Sequence, residues 1–140
     1  MKTLTITFAL IISSFLSFAQ NVNTQSITVT INNVKSDTGK VILTLHNQST
    51  FMKTPEGVQS TETTIKDGKI SITFNDVAPG NYAIMALHDE NENKNMDFDT
   101  NRMPLESYGM SNNPMSFGPP QYKDAEFEIK NKDITMAIRF

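Results

Sequence analysis

The chain has 140 residues, of which 15 are acidic, 12 are basic and none is cysteine, and its formal net charge is −3. This length suits one domain with a core of its own. Without cysteine, disulfide bonds, thiolate metal ligands and thiol catalysis are excluded. The acidic balance argues against a nucleic-acid partner, because phosphate binding requires a basic surface.

The first residues are predicted to form a secretory signal peptide. Residues 1–19 contain Lys2, an apolar run over 10–18 broken only by serines, and a small-residue end at Ser17 and Ala19. The run is short for a membrane span, and the small residues suit a cleavage site. The protein is therefore expected to be exported to the periplasm or out of the cell. Cleavage would leave about 121 residues with no membrane span and, since Lys2 is lost, a net charge of about −4.

Runs in which apolar and polar residues alternate predict strands, because a strand turns successive side chains to opposite faces. After a polar leader at 20–25, such runs or apolar runs occupy residues 26–32, 41–46, 61–66, 69–74, 82–87, 125–130 and 133–140. The run at 82–87 is apolar on both sides and is expected to be a central strand.

Turn signals separate these runs. The segment 36–39 is predicted to join the first two strands as a hairpin, and Asp67-Gly68 to join the third and fourth as a tight hairpin. Asn131 and Lys132 form the turn before the last strand, and residues 47–60 suit an irregular crossing or one helical turn.

Seven strands without an amphipathic helix predict one all-β domain at 26–140. The expected architecture is an antiparallel Greek-key β-sandwich, immunoglobulin-like or transthyretin-like. Residues 89–123 show neither the two-residue period of a strand nor the 3.6-residue period of a helix, yet they contain aromatic residues and prolines. We therefore expect one long ordered loop packed over an end of the sandwich.

The start of that loop has the composition of a calcium site. Calcium prefers six to eight oxygen ligands, and loops of the D-x-[DN]-x-[DN]-G type wrap alternate side chains around one ion. Oxygen-bearing side chains fall at every second position here, which predicts a Ca²⁺ site at 89–99 formed by Asp89, Asn91, Asn93, Asn95, Asp97 and Asp99. Lys94 stands where the template has glycine and Thr100 where it has a bidentate glutamate. The expected dissociation constant is therefore weak, about 10⁻⁴ to 10⁻³ M. The alternative is a polar tip of self-capping Asx turns.

If an ion orders this part of the loop, the remainder at 100–123 becomes a candidate recognition surface for a protein or a glycan. Side chains suited to such contacts are Tyr108, Asn112, Asn113, Phe117 and Tyr122. For each of them, packing of the loop onto the sheet is the alternative role.

Two further classes of function stay open at this stage. His46 and His88 each end a predicted strand, so they could meet at one end of the sandwich and bind zinc with Asp89, as in a small metal-dependent hydrolase or isomerase. More often a histidine at a strand end positions a loop through its ring nitrogens. The second class is a structural protein of the cell envelope. A non-enzymatic module is favoured, since no Gly-x-Ser-x-Gly, His-Glu-x-x-His or phosphate-loop motif is present.

Two other residue sets are predicted to be structural. The carboxylates outside the loop start, Glu106 among them, are expected to form a solvated surface. The methionines after Met1 show no repeated spacing like that of a copper-binding tract, so they are expected to fill gaps in the core and the loop.

Several motifs occur together along the chain. They are Val77-Ala-Pro-Gly-Asn-Tyr, Leu87-His-Asp-Glu-Asn, Tyr108-Gly-Met-Ser-Asn-Asn, Phe117-Gly-Pro-Pro and Asp124-Ala-Glu-Phe. In this order and spacing, the chain from about residue 27 to residue 140 resembles the DUF2141 family of uncharacterised exported bacterial proteins. The pattern of that family resembles H-D-E-N-G-N-G-K-x-D, and here Glu92 and Lys94 stand where the family tends to have glycine. The Pro-Gly-Asn-Tyr turn is also similar to that of transthyretin-like and carboxypeptidase-regulatory β-sandwiches, which implies the architecture by analogy.

The predicted signal peptide sets the expected N-terminus. Protein purified from its native host should begin at Gln20 or Asn21, because cleavage follows the small residues Ser17 and Ala19. Intact-protein mass spectrometry checks this expectation. A mass that includes Met1 would contradict it.

Overall fold

A computed structural model describes residues 23–115 and 118–140. The predicted signal peptide at 1–19 lies outside these described residues. Within them the protein is mostly β, with two sheets, eight strands and one short helix. The all-β class is confirmed at this level, whereas the predicted number of seven strands is wrong. No helix in the described ranges is long and apolar enough to cross a membrane.

The elements follow one another along the chain in a simple order. The strands are β1 Gln25–Ile31, β2 Lys40–His46, β3 Gln59–Thr64, β4 Ile70–Val77, β5 Gly80–Asp89, β6 Tyr108–Met110, β7 Phe127–Ile129 and β8 Ile134–Ala137, and the helix α1 is Tyr122–Ala125. The long loop expected at 89–123 therefore carries a short strand and the start of a helical turn.

The smaller sheet has the strand order β4-β1-β8. β1 runs antiparallel to β4, with Val29 opposite Ile72, and parallel to β8, with Val29 opposite Met136. The expectation of a wholly antiparallel sandwich is wrong for this reason. A parallel pair requires a long connection, and here the whole of the larger sheet lies between β1 and β8 in the sequence.

The larger sheet has the order β3-β2-β5-β6, and β7 also pairs with β5. All these pairs are antiparallel. β5 thus pairs with three strands, which confirms the prediction that the run apolar on both sides is central.

The inner faces of the two sheets share one apolar core. Every second residue of β1, β2 and β4 is buried there, and β5 contributes Ile84 and Ala86. The opposite face of the larger sheet carries a second, smaller cluster made of Phe51, Ala83, Met110 and Ala125, with Met85 and Tyr122 packed against it. This second layer explains why β5 is apolar on both sides.

The predicted hairpins are wrong as strand pairings. β1 and β2 lie in different sheets, and so do β3 and β4. The tight turn itself forms, since Lys66 and Lys69 exchange backbone hydrogen bonds of 3.1 and 3.0 Å and both Asp67 and Gly68 have positive φ. Local turn chemistry therefore fixed the chain reversal, while burial of the apolar faces decided which sheet each strand joins. The Greek-key connectivity is not confirmed.

Gly39 lies where two segments touch. Its φ is +72°, and a Cβ at this position would overlap the carbonyl oxygen of Asp89 and lie 2.7 Å from the Cα of Glu90. The turn after β1 thus packs against the end of β5 with no room for a side chain.

Gly39→Ala is expected to destabilise the protein by about 4 kcal/mol or more, because the added methyl group meets backbone that cannot move aside. Gly68→Ala is the matched control, since Gly68 has a φ of +68° and its nearest neighbour would be the Val34 carbonyl oxygen at 3.0 Å. The control should lose only about 1–2 kcal/mol, the cost of the left-handed backbone. Urea unfolding measures both, and equal losses would contradict the close approach.

Candidate functional site

The candidate calcium loop begins at the end of the central strand. Asp89 is the last residue of β5 and is 1% exposed. Its Oδ1 accepts a hydrogen bond from the backbone N–H of Asn93 at 3.1 Å, and its Oδ2 accepts one from Lys94 at 2.8 Å. The buried carboxylate thus turns the chain back on itself directly after the strand.

Two of the predicted ligand residues donate hydrogen bonds to one carboxylate oxygen of a third. The side-chain amides of Asn91 and Asn93 donate to Asp97 Oδ2 at 2.6 and 2.9 Å. In the other direction, Asn91 Oδ1 accepts the N–H of Asn93 at 3.1 Å, and Asn93 Oδ1 accepts that of Asn95 at 2.8 Å. The loop is therefore a series of Asx turns wrapped around Asp97.

Asn95 and Asp99 have other partners. Asn95 Nδ2 donates to the carbonyl oxygen of Asn93 at 2.8 Å. Asp99 Oδ1 accepts the N–H groups of Asn101 and Met103, both at 2.8 Å, and so caps the following turn. Of the six predicted ligand residues, Asp99 is thus the one most occupied elsewhere. Among the described residues, no three His, Asp or Glu side chains form a group that could hold a metal ion.

The two residues that replace glycine adopt the backbone conformation that glycine would favour. Glu92 and Lys94 have φ of +58° and +63°. The ammonium group of Lys94 lies 3.4 Å from Glu62 Oε2 on β3. A hydrogen bond from Lys40 and, after it, the interaction with Lys94 hold the pKa of Glu62 below its ordinary value. Lys94 therefore has an ionic partner on β3, but an exposed pair of this kind offsets little of its charge near the loop.

Glu106 is a site residue that the sequence did not reveal. It is 7% exposed, its Oε1 accepts the N–H of Glu90 at 3.0 Å, and its Oε2 accepts that of Asp97 at 3.3 Å. The prediction that it lies on a solvated surface is wrong. Its partners are 16 and 9 residues earlier in the chain, so no local period marks it. Glu106 joins the two ends of the 89–99 loop.

The two histidines do not meet. In the pairing of β2 with β5, His46 lies opposite Ala83 and His88 opposite Val41. These positions on β2 are five residues apart, which is about 17 Å along the strand. The prediction that His46 and His88 bind one zinc ion together is therefore wrong.

His88 has a structural environment. It is fully buried, its Nε2 lies 2.8 Å from the carbonyl oxygen of Thr38, and its ring stacks on Phe140 at 6.2 Å. Its Nδ1 has no hydrogen-bond partner among the described residues and lies 3.6 Å from Glu90 Oε1. A substrate would not reach this ring without opening the core.

The candidate recognition residues have different surroundings. Tyr108 is 37% exposed and lines two surface cavities of about 530 and 560 Å³. Asn112 donates to the carbonyl oxygens of Asp124 and Glu126, and Asn113 to that of Ala137. Both amides therefore hold the C-terminal segment in place. Phe117 lies outside the described residues.

Tyr122 belongs to the second apolar cluster. Its ring meets Phe51 edge to face at 5.6 Å, and burial raises the pKa of its hydroxyl group. Among the candidates that lie within the described residues, Tyr108 alone has both an exposed ring and a cavity beside it.

These features define a two-sheet, mostly β protein with an Asx-rich loop at the end of its central strand. The chain belongs to the DUF2141 family, described as an uncharacterized protein conserved in bacteria, which matches residues 29–137. No curated protein and no solved structure matches it significantly.

Glu106→Gln is expected to lower the free energy of unfolding by about 1–3 kcal/mol in the absence of added metal, because one of the two backbone N–H groups would then face an amide N–H₂. Glu128→Gln is a control of the same chemistry at an exposed carboxylate, whose ionic partner among the described residues is the exposed Lys130. It should change little. Denaturant midpoints measured in EDTA compare the two, and an equal effect would show that Glu106 does not hold the loop.

Proposed function

We propose that this protein is an exported, non-catalytic binding module whose 89–99 loop takes up Ca²⁺ and thereby orders a recognition surface at 100–123. One observation above all supports the ion. Asp89 and Glu106 are buried carboxylates whose partners among the described residues are backbone N–H groups rather than cationic side chains. Buried charges are normally paired or bound to a metal.

The hydrogen bonds of the loop leave room for an ion. Each carboxylate oxygen has two lone pairs. Every oxygen of Asp89 and Glu106 accepts one backbone N–H, so one lone pair remains on each. The side-chain oxygens of Asn91 and Asn93 likewise accept one bond apiece. Backbone donors thus orient the oxygens without using up their capacity, as a hard cation with many oxygen ligands requires.

We revise the ligand set accordingly. The expected ligands are Asp89, Asn91, Asn93 and Asp97, the carbonyl group of Asn95, and Glu106. Since no three carboxylates of the described residues form a metal-binding group in the structure, ion binding must draw Asp89, Asp97 and Glu106 closer together. Glu106 replaces the bidentate glutamate that the template has at its twelfth position. Asp99 is assigned to the next turn, because its Oδ1 caps two N–H groups beyond the 89–99 loop. Asp97 Oδ2 likewise accepts two bonds, but both come from within the loop.

The loop is coupled directly to the segment that follows. Leu105 donates its N–H to the carbonyl oxygen of Asp97 at 2.8 Å, and Asp99 donates to that of Met103 at 2.9 Å. Glu106 stands two residues before β6, which carries Tyr108. An ion on Glu106 and Asp97 would therefore restrain the wall of the apolar cavity beside Tyr108. The lining of that cavity by methionine, phenylalanine and proline favours apolar side chains of a protein partner over a glycan.

Calcium is expected to raise the melting temperature of the protein by several degrees. The folded state alone is expected to bind the ion. With a dissociation constant of about 10⁻⁴ M, about 10 mM Ca²⁺ would therefore raise the free energy of unfolding by about 2.7 kcal/mol. Equimolar Mg²⁺, which demands a tighter octahedral site, should add much less. Differential scanning calorimetry in EDTA, Mg²⁺ and Ca²⁺ provides the comparison.

Substitutions show which residues are responsible for the calcium-induced rise in melting temperature. Asp89→Ala should abolish the shift, and Asp124→Asn, at an exposed carboxylate outside the loop, should retain it. Lys94→Gly should enlarge the shift, because it removes a positive charge and relieves a φ of +63°. If Ca²⁺ leaves the wild type and Lys94→Gly equally unmoved, the loop is a set of Asx turns and the proposal fails.

A further inference from the structure

We propose that the outer face of the larger sheet binds a soft monovalent metal ion, Cu(I) or its analogue Ag(I), through the thioether sulfurs of Met52 and Met85 and a ring nitrogen of His46. This site does not depend on the calcium proposal. It involves no change of oxidation state, because the ion is taken up as Cu(I).

Strand register brings His46 and Met85 together. His46 pairs with Ala83 and Thr44 with Met85, so His46 and Met85 are diagonal neighbours on adjacent strands. Both point away from the main core, since Leu45 and Ile84 between them belong to it. Diagonal neighbours lie about 7–8 Å apart, within reach of two long side chains that share one ion.

The third ligand comes from the turn after β2. Met52 has a φ of +56° and is 59% exposed. The turn is fixed beneath it, because Phe51 donates its N–H to the carbonyl oxygen of Asn47 at 3.0 Å and packs edge to face on His46 at 5.7 Å. An exposed methionine in the left-handed conformation contributes little burial to the fold. Strain of this kind is concentrated at functional positions.

The three side chains line one cavity of about 250 Å³ together with Lys53, Thr54 and Pro55. No carboxylate of the described residues lines it. Thioether and imidazole ligands select soft ions, whereas calcium and magnesium require oxygen. The ion expected here is therefore different from the ion expected at the 89–99 loop.

The state of His46 suits a ligand. The side chain is 4% exposed. Its Nδ1 has no hydrogen-bond partner among the described residues but lies against Gly57, which does not line the cavity, so Nε2 is the ring nitrogen assigned to the ion. Burial lowers the pKa of His46, and an interaction with the backbone of Thr50 only partly opposes this lowering. The ring is thus neutral near pH 7, which is the form that binds metals.

Two further methionines extend the sulfur-rich surface. Met96 and Met103 line the neighbouring cavity of about 560 Å³, which shares Met52 and Met85 with the first. The chain spreads these residues over positions 52 to 103, so the absence of a repeated spacing in the sequence did not exclude a cluster. The fold supplies the proximity that the spacing lacks.

Silver titration followed by NMR of protein labelled at the methionine methyl carbons tests the proposal. One equivalent of Ag(I) should shift the methyl resonances of Met52 and Met85 together, along with the ring protons of His46. Met136, which lies on β8 in the other sheet, should not move. A response only from Met115, which is 96% exposed, would mean non-specific binding and would overturn the proposal.

Affinity measurements with a Cu(I) chelator as competitor, under anaerobic reducing conditions, give a second readout. Met85→Leu keeps the volume of the side chain and removes the sulfur, and it should weaken Cu(I) binding by about tenfold or more. Met136→Leu is the matched control and should bind as the wild type does. Thermal melts of both variants establish that each is folded. Equal affinities for the two variants would refute the site.

Discussion

The buried carboxylate of Asp89 at the end of the central strand is the constraint on which the candidate site depends. A charged group with 1% exposure needs donors for both oxygens, and the chain supplies them by turning back so that Asn93 and Lys94 present their N–H groups. This reversal forces Lys94 into positive φ. On the other side, the close approach of Gly39 leaves the Asp89 backbone no space to shift. The shape of the loop therefore follows from the strand end, and the oxygen atoms gathered for that reason are those that the proposed calcium ion would bind.

A series of hydrogen bonds connects the 89–99 loop with the surface segment that follows it. Asp97, which receives the amides of Asn91 and Asn93, also accepts the N–H of Leu105 and donates its own to Glu106. Since Glu106 leads into β6, these hydrogen bonds connect the loop with the strand that pairs with β5 and carries Tyr108. Polar contacts thus connect the oxygen-rich loop with an apolar cavity that shares no ligand residue with it.

What the sequence could predict was local. Period-two alternation found most of the strands, and the two apolar sides of β5 marked it as central. Sheet partners were not predictable in this way, because β1 pairs with β8 across more than a hundred residues, as Ile27 with Ile134 shows. The Asp67-Gly68 signal correctly predicted a tight turn. It did not predict that the chain crosses from one sheet to the other at this turn. Glu106 and the cluster around Met85 escaped notice for the same reason: their neighbours are distant in the chain.

Residues with strained backbone occur in or near both proposed sites. Eight non-glycine residues within the described ranges have positive φ, and four of them are Asp or Asn, which tolerate it well. The other four are Met52, Glu92, Lys94 and Arg102. Three of these lie between Asp89 and Glu106, and the fourth is the exposed methionine beside His46. Each costs about 1–2 kcal/mol relative to an ordinary conformation, and none of them is buried enough to recover that cost through apolar contacts. The reversal that Asp89 caps accounts for Glu92 and Lys94, and the turn that Asp99 caps accounts for Arg102. Met52 has no such cap among the described residues, so at this position the proposed metal ion offers a reason for the strain.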